Sequence, residues 1–526
     1  MARNFDRILT CDDGARSAQR TMSPTRTSLL RLRSIAVSML LVSTLAACID
    51  DGTARHAVAL HVPKADALAN STRTDASSNA TTNDWPTTNW VASFGDPQLV
   101  ALVDETCANS PDIDIANARI AAAQAQLETF GAVSGLGGTV TANALKARMP
   151  RVDGAADVNY AGTTIPINLF SDPWVSPASV IGAAHYDLDL WGRNRAITRS
   201  LVAERDAARV DAQQARLALV TTLVTLYGQL DADYASRDLV VQKQQDEQRR
   251  DAILQNRMTR GLDTGYDAQT ARARQADLAL QLQQADDAIT QVRLQIGVLT
   301  GNGPERGLKL TRPTFAASGA TALPLPANLP LDLLGRRPDI VAARLRVAAA
   351  EGRIDAARAR FYPNIDLIGA AGFSSLSIGS LFSSSSALFA IGPALSLPIF
   401  ERPQLRAQLH GDQANADAMI GLYNKTLDTA LGEVARSIAT VRSADAQITL
   451  QEQAVAARTR VAWIADERHK RGLLPEEQVL SARLALADEQ LRLVSLHAQR
   501  RDAKIALIRA LGGGFDYDIK ENHGHA

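Results

Sequence analysis

The residues able to do chemistry are few and scattered. Three cysteines, Cys11, Cys48 and Cys107, are too sparse for a disulfide framework. His523 and His525 are a lone pair in the tail, short of the ligand count a metal site needs. His469 reads as a solvated residue rather than a switch. Gly301-Asn302-Gly303 with Gly307 has glycines in the manner of a phosphate loop. It follows a helical stretch and lacks the Gly-x-Gly-x-x-Gly spacing, so it reads as a helix stop. No His-Glu-x-x-His or Gly-x-Ser-x-Gly motif occurs. An envelope hydrolase would need a nucleophile and base in concert, and no such constellation stands out. The expectation is a non-enzyme without cofactor or metal.

The exception is Cys48. The apolar run Ile35–Ala47 follows Arg26, Arg31 and Arg33, which makes a secretory signal too short to span a bilayer. Leu45-Ala46-Ala47-Cys48 resembles the lipobox of bacterial lipoproteins, which implies a lipid on the Cys48 sulfur after cleavage. The alternative is an ordinary small-residue cleavage site followed by a chance cysteine. Ile49, not Asp, occupies the second mature position, so the usual inner-membrane retention signal is missing, although Asp50 and Asp51 follow. Translation starts at Met1 or Met22.

Charge and composition narrow the class. The 56 Lys and Arg balance 56 Asp and Glu, which argues against a nucleic-acid partner. Apolar residues make 46% of the chain, a folded composition, but aromatics only 5%, which suits long Ala/Leu helices better than a compact core. No stretch after the signal has 18 consecutive apolar residues, which leaves a lipid-tethered periplasmic protein or a β-barrel.

The elements come in two copies. Pro111-Asp112-Ile113 and its following Ala116, Arg119 and Ala121–Ala123 recur from Pro338-Asp339-Ile340 at an offset of 227. Arg260-Gly261-Leu262 recurs as Arg471-Gly472-Leu473 at an offset of 211, and Ala271/Ala482 and Gly301/Gly512 keep that register. Leu219, Leu223, Leu226, Leu230 and Tyr234, the Leu278–Leu299 series, and Leu427, Leu431, Val434, Ile438 and Val441 have coiled-coil spacing. Asn194–Arg260 is 67 residues without proline, a rod of roughly 100 Å. Each Arg-Gly-Leu breaks the helix, so each unit predicts a long hairpin with that tripeptide at its tip.

Between the Pro-Asp-Ile helices and the rods lie alternating segments: 139–148, 180–191, 364–367 and 388–399. Their apolar/polar alternation fits a lipid-facing barrel wall and equally a half-buried soluble sheet. Tyr160, Phe170, Trp174, Tyr186, Trp191, Phe361, Tyr362, Phe373, Phe382, Phe389 and Phe400 gather in or beside them, as membrane-interface girdles would. Four strands cannot close a spanning barrel, which takes at least about eight, so a membrane role requires several chains.

Tyr186-Asp187-Leu188-Asp189-Leu190-Trp191-Gly192-Arg193 resembles the strand-to-helix signature of outer-membrane efflux factors of the TolC/OprM/NodT type. So do Leu334-Gly335-Arg336-Arg337-Pro338-Asp339-Ile340, Ala357–Pro363 and Leu397-Pro398-Ile399-Phe400, over about Trp85 to Gly514. The resemblance implies a mainly α fold with membrane β: a long coiled-coil α-barrel plus four strands per chain in a trimeric 12-stranded outer-membrane barrel. It implies a homotrimer in outer-membrane lipid, docked to a periplasmic adaptor (membrane fusion protein) and an inner-membrane transporter of RND type, exporting drugs or other toxic small molecules. The implied layout is 1–47 extension and signal, 48–84 lipidated linker, 85–301 first repeat, 302–337 equatorial connection, 338–514 second repeat and 515–526 tail. By position, Arg260, Gly261, Leu262, Arg471, Gly472 and Leu473 are adaptor contacts, though each Gly also simply caps a turn. Gate candidates are Asp263, Asp267, Glu476 and Glu477; a carboxylate ring repels itself and favours cations. The chain departs from the family where the usual gate aspartates fall on Gln478 and Ser481, the tip arginine on Leu474 and a glycine pair on Glu401-Arg402-Pro403. The rival reading is a lipid-anchored periplasmic adaptor, which would carry one hairpin and compact β-domains.

Overall fold

A computed structural model describes residues 58–61, 85–148, 156–160, 163–167, 174–262, 265–315 and 329–517. The chain divides into units Met1–Ala54 and Arg55–Ala526, and every described residue lies in the second.

The first repeat opens with α1 (Pro97–Asn109) and α2 (Pro111–Ser134), each with proline at its first position, where no amide hydrogen is missed. Strand β1 (Gly137–Ala144) follows. Then come two small hairpins, β2 (Ala147–Arg148) with β5 (Trp174–Val175) and β3 (Ala156–Tyr160) with β4 (Thr163–Ile167), and strand β6 (Ala178–Asp187). The 67-residue α3 (Arg193–Thr259) and the 35-residue α4 (Gly265–Leu299) complete it. A connection bears α5 (Pro304–Leu308) and α6 (Leu329–Arg336). The second repeat runs α7 (Pro338–Ala359), β7 (Asn364–Ser375), β8 (Ala387–Ser396), the 69-residue α8 (Arg402–Lys470) and the 35-residue α9 (Glu476–Ala510). Among the described residues no helix is long and apolar enough to cross a membrane.

One glycine pair displays the duplication in three dimensions. Gly301 and Gly512 end α4 and α9 at φ +77° and +89°. A Cβ on Gly301 would lie 2.2 Å from the carbonyl oxygen of Asn109; on Gly512, 1.8 Å from that of Arg336. Both carbonyls stand two residues before their Pro-Asp-Ile prolines. Each repeat thus closes its return helix against the entry to its own first helix, and only glycine fits.

Two cores follow the coiled-coil residues. Leu223, Tyr227 and Leu230 of α3 pack with Ile289, Val292 and Ile296 of α4, with Trp90 and Phe94, and with Leu99 and Leu102 of α1. Leu427, Val434 and Ile438 of α8 pack with Ile340 and Val347 of α7 and Leu507 of α9. Each fully buried leucine contributes about 2 kcal/mol. Helix α7 lies against both α3 and α8, and α9 against both α8 and α3, whereas α2 and α4 lean chiefly on α3.

The main sheet is antiparallel in the order β1-β6-β7-β8, so β1 and β8 are its edges. Its register aligns Val140 with Gly182, Gly182 with Ala371 and Ala371 with Phe389. With the two-residue alternation of strands, one face collects Val140, Ala142, Val180, Tyr186, Ile365, Leu367, Phe373, Phe389, Ile391 and Leu395. The other collects Thr139, Thr141, Asn143, Ser179, His185, Asp187, Asn364, Asp366, Ser374 and Ser396, together with Ile181, Ile368 and small residues. Phe389 and Val140 on the apolar face are 76% and 78% exposed. The expected strands stand with shifted limits: the segment read as 180–191 ends at Asp187, because Leu188–Trp191 form the turn into α3.

Candidate functional site

Each hairpin tip is built by a glycine. Gly261 and Gly472 follow the last turns of α3 and α8 at φ +71° and +72°. Gly261 N–H donates to Met258 O and Leu262 N–H to Arg257 O, both at 2.9 Å; Gly472 donates to His469 O and Leu473 to Arg468 O at 2.8 and 2.9 Å. This is the Schellman closure, in which the residue after the left-handed glycine returns to the helix. In both copies that residue is a leucine turned to solvent, Leu262 66% and Leu473 72% exposed, joined by Tyr266 at 77%. Arg260 and Arg471 are exposed beside them, and Arg471 pairs with Glu467 at 3.9 Å. His469 Nδ1 lies 2.9 Å from Leu474 O, so it braces the second turn.

The acidic candidates divide. Asp263 lies outside the described residues. Asp267 sits in the first turn of α4, where the helix dipole favours a carboxylate. Glu476 and Glu477 open α9 and reach across to α3: Glu476 meets Arg249 at 2.5 Å and Glu477 meets Arg250 at 3.6 Å. Lys243–Asp488 at 2.8 Å and Asp231–Arg501 at 2.9 Å continue this seam. Arg250 also approaches the buried Glu247, with Arg274 of α4 on the other side. Within the second hairpin, Asp466 meets Lys470 at 2.7 Å and Arg483 at 3.2 Å, and the Lys470 contact chiefly holds its carboxyl below the usual range. Burial pushes Asp246 up, against the pull of Arg483 and Arg249. The sequence reading found the α9 acids but missed their partners, although Asp246-Glu247-Gln248-Arg249-Arg250 is visibly charged.

The motif residues away from the tips set angles between elements. Asp189, the one non-glycine residue at positive φ (44°) among those described, accepts from the backbone N–H of Asn194 and Arg195 and so caps α3. Asp187 accepts from Arg193 and Asn194 side chains at 2.8 and 3.0 Å. Trp191 stacks on Tyr362 at 4.6 Å and donates Nε1–H to Pro363 O, which ties the two strand–helix joints together. Arg337 is buried ahead of α7; it pairs with Asp339 at 2.6 Å and Glu433 at 2.9 Å and donates to Ala510 O. Burial would lower its pKa, but the two carboxylates prevail and raise it.

Cys48, His523 and His525 lie outside the described residues. The first described segment, Val58–His61, is hydrogen-bonded to α8. Asn424 accepts from His61 N–H at 2.7 Å and donates to Ala59 O at 3.0 Å, and Asp417 accepts from Val58 N–H. Among the described residues no group of three or more His, Cys, Asp or Glu could hold a metal ion.

The family model described as outer membrane efflux protein matches residues 102–302 and 329–513, both repeats. The chain belongs to the outer membrane efflux protein family. This efflux protein is 30% identical over 437 residues to the multidrug resistance outer membrane protein MdtP of Escherichia coli, covering 82% of this chain and 87% of that one. It superposes on the outer membrane protein VceC of Vibrio cholerae with a TM-score of 0.72 at 30% identity, covering 82% of this chain and all of the other. The Campylobacter jejuni CmeC outer membrane channel, at 22% identity, shares the fold with a TM-score of 0.73 over 88% of this chain and 94% of its own. The fold read from the sequence therefore stands: long helical hairpins with a four-stranded main sheet, to which two small hairpins are added, the fold of the outer-membrane channels.

Proposed function

We propose that this efflux protein is the passive exit duct of a tripartite pump. Three copies close a 12-stranded barrel through outer-membrane lipid and a helical barrel through the periplasm. One observation carries the reading: a four-stranded sheet with one apolar face and two edges unpaired among the described residues. Such a sheet is stable in lipid only when other copies pair with its edges. The polar face then lines water, and the apolar face meets acyl chains.

The tips are the docking end for a periplasmic adaptor, with Leu262 and Leu473 as apolar contacts, Gly261 and Gly472 as the turns that present them, and Arg260 and Arg471 at the rim. An RND-type inner-membrane transporter stands beyond it and selects the cargo, drugs or other toxic small molecules. Asp263, Asp267, Glu476 and Glu477 narrow the closed pore. Salt links from Arg249 and Arg250 to the α9 acids favour the closed arrangement of the two hairpins. Cys48 carries lipid, a reading supported by the Leu45-Ala46-Ala47-Cys48 motif. The testing experiment is gene deletion with survival scored across a toxic-compound panel. Sensitisation to several compounds, restored by the wild-type gene, supports the duct; unchanged survival across the panel counts against it.

A further inference from the structure

The apolar face of the main sheet continues past its strands. Ala144 of β1 pairs with Ala178 of β6, Leu145 N–H donates to Pro177 O at 2.9 Å, and Arg148 of β2 pairs with Trp174 of β5. Both ladders keep one register, so β2 and β5 prolong β1 and β6 without a slip. Strand alternation then puts Lys146 and Arg148 on the face of Val140 and Ala142, and Trp174 on the face of Val180. The face finishes in one half-exposed indole with two exposed cations over it. Lys146 Nζ lies 5.6 Å and Arg148 Cζ 6.0 Å from the centre of the Trp174 ring, within cation–π range. Among the described residues neither cation has a carboxylate partner.

The position of this cluster matches the outer boundary of a membrane. Helices α2, α3, α7 and α8 all join the sheet at the opposite end, next to Gly137, Asp187, Asn364 and Ser396. The Trp174 end therefore points away from the helical rods. Tyr186, on the same face near the helices, is twelve residues from Trp174. That is about 40 Å of strand, or roughly 30 Å of height at a barrel tilt of about 40°. An apolar band between two aromatic girdles has about that height. Indoles settle at such boundaries, and cations avoid the hydrocarbon between them. The second repeat finishes its half of the face differently. From Leu367 to Phe400 there is no Asp, Glu, Lys, Arg or His, and Phe382 of the outward turn stands edge-on to Phe373 at 5.6 Å. The cations thus mark one corner of the rim.

We propose that Lys146, Arg148 and Trp174 bind the phosphate of an outer-leaflet glycolipid, the acylated and phosphorylated glucosamine disaccharide lipid A. Its acyl chains run down the wall over Val140, Val180 and Phe373. The lysine meets the phosphate as a compact charge and the arginine as a fork of donors, while the indole packs under the sugar. Cations directly above an apolar wall suit an anion that carries its own acyl chains, because a free anion would leave the wall uncovered. The site rests on the outer-membrane reading and names the lipid that the rim holds.

The test uses the full chain, purified from membranes in a non-ionic detergent and titrated with diphosphoryl lipid A, with bound lipid counted by native mass spectrometry. Wild type should bind it, and Lys146→Gln with Arg148→Gln should bind about tenfold or more weakly. The charge-keeping exchange Lys146→Arg with Arg148→Lys should stay within about threefold of wild type, and loss of binding there would overturn recognition by charge. Lipid A stripped of its phosphates should bind wild type as weakly as the neutral variant does. Equal binding of diphosphoryl lipid A by wild type and the neutral variant overturns the site. Displacement of the lipid by an equal concentration of inorganic phosphate overturns the lipid in favour of a free anion, and equally tight binding of phosphatidylglycerol overturns the choice of glycolipid. A wild-type protein that fails to sediment with outer membranes overturns the membrane reading itself.

Discussion

Asp96 shows how a single side chain holds a junction. It accepts from Gln98 N–H at 2.8 Å, from Thr314 N–H at 2.8 Å and from the Tyr227 hydroxyl at 2.7 Å, in a nearly buried setting. Burial pushes its carboxyl up, but the donors Thr314, Tyr227, Gln98 and Leu99 prevail and hold it below the usual value. A carboxyl with a folded pKa below its unfolded one stabilises the fold above the unfolded value and loses that contribution as pH falls. Asp96→Asn should therefore cost about 2 kcal/mol at neutral pH, and its melting temperature should converge on wild type as pH drops below about 3.8. Arg337 is the second such residue. Arg337→Leu leaves Asp339 and Glu433 facing each other beside an unsatisfied Ala510 carbonyl, and should cost about 3 kcal/mol by thermal unfolding. The sequence marked Arg337, Asp187 and Asp189 as parts of motifs but gave them no work. Their partners lie on other elements, Glu433 on α8 and Asn194 past a turn, and spacing along the chain does not report such meetings.

Most of the element plan was legible because long helices and paired strands are written as periods. Of the heptad leucines, Leu219, Leu223, Leu230, Leu278 and Leu427 proved buried and Leu226, Leu282, Leu299 and Leu431 half-buried, and each Arg-Gly-Leu proved to be a Schellman tip. Strand limits were less legible, because Leu188 and Leu190 continue the alternation while Asp189 and Gly192 break the backbone out of the sheet. Two outcomes belong to this scale. Ile391→Arg places a cation on the apolar face and should cost about 2–4 kcal/mol of membrane insertion if near mid-bilayer. Thr141→Arg on the polar face should insert normally, as scored by heat-modified mobility of the membrane fraction. At the tips, replacing Glu476 and Glu477 with Ala should raise single-channel conductance, and Arg249→Ala with Arg250→Ala should do the same by removing the other half of each link. Conductance unchanged in both would remove the α3–α9 seam from gating. The adaptor alternative calls for one hairpin and compact β-domains, whereas two hairpins and an open sheet are present.

At the scale of the whole molecule, the duplication ties the repeats together and leaves the main sheet open: α7 and α9 of the second repeat pack on α3 of the first, and the sheet edges β1 and β8 are unpaired among the described residues. Lipid attachment belongs here too: Cys48→Ala should abolish acyl labelling of the protein, and unchanged labelling would rule out the lipid on Cys48. The low aromatic content also finds its place. Tyr186, Phe373 and Phe389 sit on the lipid-type face, while Ala and Leu fill the rods. The most direct test of the account is the mass of the intact protein extracted from membranes into detergent. Three chains per particle is the predicted result; a single chain would contradict the shared barrel and the duct built on it.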